Sequence, residues 1–399
     1  MDKKKVLIIG GGGAGIMAAI SAAKAGAEPV ILEKNPKLGR KVLIAGAGRC
    51  NITNDQLDPS FYNPEGRELL IGVLNRFGKK ESLDFFRELG LITYVAPDGR
   101  IFPLTNQAIS VMDVLKNELE RLEVSIQLNV DINNIHAKQK GFEVKTQSGE
   151  TILGDRVILC CGGKSFPALG ADGKGYSMAA SFGHTIIDPV PATVALVVKD
   201  PWCHPLQGQK IRGRVASRVG STMGEWVEGD VLFTKYGLSG TAILDASDVL
   251  SIASNRHHNS DISVVVDLVP FMTEEELLEE FQRKVKKGLT GDALLAGILP
   301  PKFAGPLKEY LYPEKIKKLA AFLKQRPFSV ESTRGWNEAE FTSGGVDINE
   351  VDSQTLESKK QKGLYLAGEI LDVQARRGGY NLAWAWASGH ITGIASATD

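Results

Sequence analysis

Apolar residues fall into short continuous runs toward the two ends of the chain, with alternating and helical patterns between them. Val6-Leu7-Ile8-Ile9 is an unbroken apolar run, the pattern of a strand covered on both faces. It leads into Gly10-Gly11-Gly12-Gly13-Ala14-Gly15, and Ile16 to Ala25 then reads as an Ala-rich helix closed by Gly26. Val30-Ile31-Leu32 predicts a second strand with Glu33 at its end. Residues 124–161 carry short β-like segments, a Ser-Gly-Glu turn and a buried strand from Arg156 to Cys161. Pro189-Val-Pro191 marks a boundary, after which segments such as Val194–Val198 and Ile262–Leu268 predict a second sheet.

From Thr273 the period becomes helical. Thr273 and Glu276 have the spacing of a capping box at the start of an amphipathic run through Lys286. A further helix is expected over Glu314–Lys324. Pro327 and Ser329–Ser332 return to strand, and Phe341–Val346 re-enters the first domain. Gly363–Ala367 predicts a last short strand, and a bend at Gly378-Gly379 precedes a helix from Tyr380 to Ala395. Lys284–Lys287 reads as a solvated face balanced by Glu274–Glu280, and Trp384 and Trp386 read as core.

Composition narrows the function classes. A length of 399 residues suggests two to three domains. Lys plus Arg and Asp plus Glu each number 47, which argues against a general nucleic-acid binder. Cys50, Cys160, Cys161 and Cys203 show no C-x-x-C spacing, so neither a disulfide framework nor a metal site is expected. The basic N-terminus superficially resembles a secretory signal, but its apolar segment is broken by glycines. With no apolar window of about 18 residues, no membrane span is expected and the expected place is the cytoplasm.

The chemistry starts at the glycines. Read as G-x-G-x-x-G, the fingerprint residues are Gly10, Gly12 and Gly15, with Gly13 and Ala14 counted beside them as cofactor-binding. Gly10 permits the turn, Gly12 admits a pyrophosphate, and Gly15 allows close helix–strand packing. The helix N-terminus offers free N–H groups and partial positive charge to a diphosphate. Glu33, 18 residues beyond Gly15, stands where a ribose diol would be held and would repel a 2′-phosphate. The site therefore suits FAD or NAD rather than NADP.

Residues 33–54, Glu-Lys-Asn-Pro-Lys-Leu-Gly-Arg-Lys-Val-Leu-Ile-Ala-Gly-Ala-Gly-Arg-Cys-Asn-Ile-Thr-Asn, resemble the signature of the YhiN/BaiN-like NAD(P)/FAD-dependent oxidoreductases, some of them described as aminoacetone oxidases. Val157–Pro167, Gly170–Gly183, Gly363–Asp372 and Gly378–Leu382 match as further blocks, so the resemblance spans essentially the whole chain. It implies an α/β fold with a Rossmann-like FAD-binding domain of the two-dinucleotide-binding-domain flavoprotein type, over 1–191 and 341–399. A β-rich substrate domain over 192–270 and 326–340 and a helical insertion over 271–325 would interrupt it.

By the same resemblance, Gly10, Gly12, Gly15 and Glu33 hold the adenosine diphosphate half of FAD, followed by Lys34. Gly39, Arg40 and Lys41 cross the phosphates. Gly46, Gly48, Arg49, Cys50 and Asn51 run beside the isoalloxazine. Gly162 and Gly163 pass the adenine side, and Gly368 and Glu369 meet the ribityl chain and pyrophosphate. The helix opened by Gly379, Tyr380, Asn381 and Leu382 would aim N–H groups at the reduced flavin.

Arg49, Asn51, Arg376 and Tyr380 are the candidate catalytic groups at the flavin edge, whereas Cys50 reads as a packing residue. Val373-Gln-Ala-Arg-Arg377 departs from the small or acidic residues expected there, which leaves an anionic substrate and a plain solvent-facing pair equally open. No second glycine fingerprint follows a strand, so NADH or NADPH would bind transiently against the flavin. The expected activity passes hydride from NAD(P)H through flavin N5 to a small organic acceptor. A flavin-dependent amine oxidase releasing hydrogen peroxide is the alternative, and an RNA-modifying flavoprotein ranks behind both.

Overall fold

The computed structural model describes residues 3–398, so the outermost ends of the segments 1–191 and 341–399 lie outside the described residues. The chain forms two compact units, one running to Pro189 and resuming at Phe341, the other spanning Val190–Glu340.

The first unit is built on a five-stranded parallel sheet in the order Leu364–Leu366, Arg156–Leu159, Lys5–Ile9, Glu28–Glu33, Ser125–Leu128. The N-terminal strand is central, with Ile9 in register with Leu159 on one side and Leu32 on the other. Val6, Leu7 and Ile8 are fully buried, as their unbroken apolar run requires. A three-stranded antiparallel meander, Ile132–Ala137, Phe142–Thr146 and Thr151–Gly154, joins the edge strand to the strand at Arg156.

Two helices fix how the chain ends meet. The first covers Gly13–Lys24 and starts earlier than the sequence suggested, because Gly13 and Gly15 are helical and close against their surroundings. The C-terminal helix covers Tyr380–Ala397 and lies along it. A Cβ on Gly389 would stand 2.3 Å from the Ala14 carbonyl oxygen, and one on Gly393 2.4 Å from that of Ala18. The four-residue step repeats on both helices, so the backbones approach at a distance only glycine permits. Trp384 and Trp386 are buried core, their indole N–H groups donating to the Gly368 and Ile52 carbonyls.

The second unit contains an antiparallel barrel. Lys210–Val219, Val227–Thr234, Gly237–Ser239, Leu196–Val198, Arg326–Thr333 and Ile262–Asp267 pair in that order, and the last pairs back to the first. Closure removes the exposed edges an open sheet would present. The helices Glu274–Lys286 and Ile316–Lys324 share the barrel's core through Leu277, Phe281, Leu319 and Leu323. The capping box is formed as expected, Thr273 Oγ1 accepting from the Glu276 N–H and Glu276 Oε2 from the Thr273 N–H. Lys284 is a correction: it is buried rather than solvated, its Nζ donating to the carbonyls of Leu294 and Ala296, which terminate the following short turn. Among the described residues, no helix is long and apolar enough to cross a membrane.

Candidate functional site

The C-terminal ends of the parallel strands open into a cleft, the place where an open α/β sheet receives a nucleotide. Gly10–Gly12, Glu33, Lys34, Gly39–Lys41 and Gly162 line it. Gly12 is the N-cap of the first helix, without a side-chain cap and without an acid in the first turn. The first N–H groups of that helix therefore have no intrahelical partner and carry its positive end. A Cβ on Gly12 would meet nothing within 4 Å, whereas one on Gly15 would stand 1.9 Å from the Gly10 carbonyl oxygen. Gly15 is a packing glycine, and Gly12 faces open space.

Glu33 anchors this loop. Its Oε2 accepts from the Gly11 N–H at 2.6 Å, and its Oε1 accepts from the Asn35 backbone N–H at 2.7 Å and the Asn35 amide at 2.6 Å. Arg40 in turn donates to Asn35 Oδ1 at 2.7 Å. Oε1 thus has both lone pairs occupied, whereas Oε2 keeps one, which leaves acceptor capacity for a ribose hydroxyl. Lys34 is held by Asp172 at 2.7 Å.

Sequence reasoning missed Asn35, Lys37, Asp131, Ile132, Leu169, Asp172, Lys174 and Met178 as cleft residues. The available signal was position, since Asp131 and Ile132 directly follow an edge strand of the sheet. Five cations, Lys34, Lys37, Arg40, Lys41 and Lys174, face three carboxylates, Glu33, Asp131 and Asp172. That balance suits a diphosphate, and Val130, Ile132, Leu169 and Met178 supply apolar wall for a purine.

Lys41 connects this cleft to the residues expected around the flavin. Its Nζ donates to Glu369 Oε2 at 2.8 Å and to Ser165 Oγ at 2.9 Å. Glu369 also accepts from the Thr342 N–H at 2.9 Å and, weakly, from the Gly163 N–H at 3.4 Å. The Gly368 N–H and carbonyl are taken by Ser388 and Trp384.

The two segments expected at the flavin edge are neighbours, outside the lining of the cleft. Trp386 donates to the Ile52 carbonyl, and Asn54 Nδ2 donates to the Gly378 carbonyl at 2.9 Å. A Cβ on Gly379 would stand 2.5 Å from the Thr53 carbonyl and 2.8 Å from Asn51 Oδ1. Asn51 Oδ1 and Thr53 Oγ1 are buried without a hydrogen-bond partner. Gly46, Ala47, Gly48 and Cys50 all have positive φ, which glycine adopts freely but which is unfavourable for Ala47 and Cys50, a strain of the kind held at binding sites. Arg49 donates to the Gly46 carbonyl at 3.2 Å and stacks on Phe102 at 4.4 Å.

The C-terminal helix begins at Tyr380 with Gly379 as N-cap and no acid in its first turn. The Tyr380 ring is buried against Phe61, and its carbonyl accepts from Tyr62 Oη. The Asn381 side chain is committed to Ala375, accepting from its N–H at 2.9 Å and donating to its carbonyl at 2.8 Å. Leu382 is half-buried. Burial pushes the Cys50 thiol up to about 12 and the Cys161 thiol likewise, so neither is a thiolate at neutral pH.

The residues present fit FAD: a glycine cradle facing open space, an uncapped helix N-terminus, a net positive cleft, and orphaned polar atoms beside the second helix start.

The family described as HI0933-like protein Rossmann domain matches residues 4–395. A 3-dehydro-bile acid delta(4,6)-reductase of Clostridium scindens is 38% identical, covering 98% of this chain and 99% of the relative. A ribosomal RNA dihydrouridine synthase of Escherichia coli is 29% identical over 97% of this chain and 96% of its own. The structure of a 3-ketosteroid-delta4-(5alpha)-dehydrogenase from Rhodococcus jostii superimposes with a TM-score of 0.50 at 15% identity, covering 100% of this chain and 97% of the other, a likeness of fold.

Proposed function

Because this chain belongs to the HI0933-like Rossmann family and is an FAD-dependent oxidoreductase, we propose that it reduces a carbon–carbon double bond conjugated to a carbonyl, with NADH or NADPH as donor. The observation that carries the reading is the meeting of Arg49–Asn54 with Gly378–Tyr380 in the same unit as a cleft lined by Lys34, Arg40 and Lys41. Bound FAD would supply the redox chemistry, linking the two-electron oxidation of the donor to the reduction of the acceptor.

The protein's part is positioning and electrostatics. Lys34, Arg40 and Lys41 with the first helix N-terminus would hold the diphosphate. Gly162 and Gly163 would pass the adenine side, Glu369 would meet the ribityl chain and pyrophosphate, and Gly46, Gly48, Cys50, Asn51 and Thr53 would flank the ring. The N-terminus of the Tyr380–Ala397 helix would favour negative charge on the reduced ring. The choice of acceptor follows the two relatives, whose names each describe hydrogen added to a double bond beside a carbonyl.

A reduced uracil in RNA is the second reading, supported by the dihydrouridine synthase relatives. Charge on the barrel weighs against it. Along the strand Lys210–Val219, Lys210, Arg212 and Arg214 are paired with Asp230, Glu228 and Asp267, which offsets their charge toward a polyanion, while Arg218 bonds to Ser263.

The test is an anaerobic absorbance titration of the FAD-loaded protein. NADH or NADPH should bleach the flavin bands, and an α,β-unsaturated ketone should restore them. Bleaching by small amines but by neither nucleotide would replace this reading with the amine oxidase, and reoxidation by a uridine-containing RNA alone would replace the acceptor.

A further inference from the structure

Arg376 sits on a platform held by backbone hydrogen bonds. The Gln374 N–H donates to Asn63 Oδ1 at 2.9 Å, the Asn63 N–H donates to the Gln374 carbonyl at 2.9 Å, and the Arg376 N–H donates to the Phe61 carbonyl at 3.2 Å. From the other side the Asn381 amide grips both backbone groups of Ala375. Five hydrogen bonds thus hold the backbone of 374–376 while the side chain of Arg376 remains exposed.

That side chain is held as well. Its guanidinium carbon lies 3.5 Å from the centroid of the Phe61 ring and 5.7 Å from that of Tyr380, the first residue of the C-terminal helix. A guanidinium stacked by its face keeps its in-plane N–H groups for a hydrogen-bonding partner. Among the described residues no carboxylate takes up those of Arg376. Of the acids close to this segment in sequence, Asp58 Oδ1 accepts from the Ser60 N–H and Asp372 Oδ1 from the Gly344 N–H. Arg67 donates to the Ser60 and Tyr62 carbonyls, and Arg377 is engaged within the protein. The adjacent arginines are therefore not equivalent: of the two, Arg376 presents a stacked planar donor set beside the expected flavin edge.

We infer that Arg376, laid flat on Phe61, recognises an anionic group, a carboxylate or phosphate, on a small molecule that exchanges hydride at this edge. A planar fork matches either oxyanion in bidentate fashion. The inference rests on the proposed reductase reading and specifies its substrate class. The anion belongs either to the acceptor, as a carboxyl remote from the double bond, or to the donor, as the extra phosphate that distinguishes NADPH from NADH.

The experiment compares the FAD-loaded wild type with Arg376→Gln and Phe61→Leu, using a 3-oxo-4-ene carboxylic acid and its methyl ester as acceptors, and NADH and NADPH as donors. Ligand binding is read separately from turnover, as the perturbation of flavin absorbance on titration with acid or ester. For a carboxylate on the acceptor, Arg376→Gln weakens binding and raises KM for the acid at least about tenfold and for the ester less than about twofold, as expected for loss of one charge-assisted pair. Phe61→Leu gives a smaller change of the same kind. For a phosphate on the donor, Arg376→Gln erases a preference for NADPH over NADH without separating acid from ester. Equal effects within both pairs, or none, overturn the inference. If neither nucleotide bleaches the wild-type flavin, the reductase reading fails, while the acid–ester titration still decides the role of Arg376.

Discussion

Lys41 and Glu369 are 328 residues apart in sequence and form an ion pair at 2.8 Å, with Ser165 bonded to both. Both side chains keep partial exposure, 31% and 21%, so the pair itself contributes at most about 1 kcal/mol to folding. Its placement beside the cleft is the more informative property. Glu369→Gln is expected to leave the unfolding midpoint nearly unchanged and to weaken FAD affinity about tenfold or more, measured by fluorescence titration of the apoprotein. A large loss of stability with unaltered FAD affinity would show the pair to be purely structural.

Gly12 and Gly15 belong to one fingerprint but have different surroundings. Gly12→Ala places its methyl group in open space, so the fold should persist while FAD binding falls about tenfold or more. Gly15→Ala drives a methyl group against the Gly10 carbonyl, and the protein should be destabilised by about 3 kcal/mol or fail to fold. Circular dichroism melts alongside FAD titrations separate these outcomes.

Gly393 offers a test remote from the cofactor. A Cβ there would meet the Ala18 carbonyl oxygen at 2.4 Å and the Ser21 Cβ at 2.8 Å. Gly393→Ala should cost about 1–3 kcal/mol in urea unfolding by forcing the two helices apart. An unchanged midpoint would mean that the helix pair yields without penalty.

His390 lies on the same helix pair, stacked on Phe77 at 4.2 Å with Nδ1 against Ser21 Oγ. Burial, with a smaller contribution from Lys24, lowers its pKa to about 4. On acidification the unfolded chain protonates this imidazole first, so stability is lost as pH falls from the ordinary value of about 6.5 toward 4. His184, lowered by burial, acts in the same direction. His390→Gln should therefore reduce, without abolishing, the drop in melting temperature between pH 7.5 and pH 5.5. An identical slope in both proteins would remove His390 from the account.

Cys50 is fully buried with its thiol pushed up to about 12. Cys50→Ala should keep bound FAD and its rate of bleaching by NAD(P)H within about threefold. Loss of bleaching with FAD still bound would assign the thiol a redox role.

Much of this protein was legible in one dimension because its signals are local. Val6–Ile9 is apolar throughout and can only be a buried strand, and the glycine spacing that follows admits a helix start and a phosphate. The turn chemistry of Thr273 and Glu276 similarly fixed a helix start within four residues. What the sequence could not specify are distances between segments remote along the chain. The Gly389 and Gly393 contacts with Ala14 and Ala18, the closure of the barrel by Ile262–Asp267 on Lys210–Val219, and the burial of Lys284 each depend on a partner that local pattern does not name. The same holds for Arg376 and Arg377, adjacent and alike in sequence. Only the packing of Phe61 beneath one of them, and internal partners for the other, made them different, because a side chain's chemistry is set by what the tertiary fold brings within a few ångströms of it.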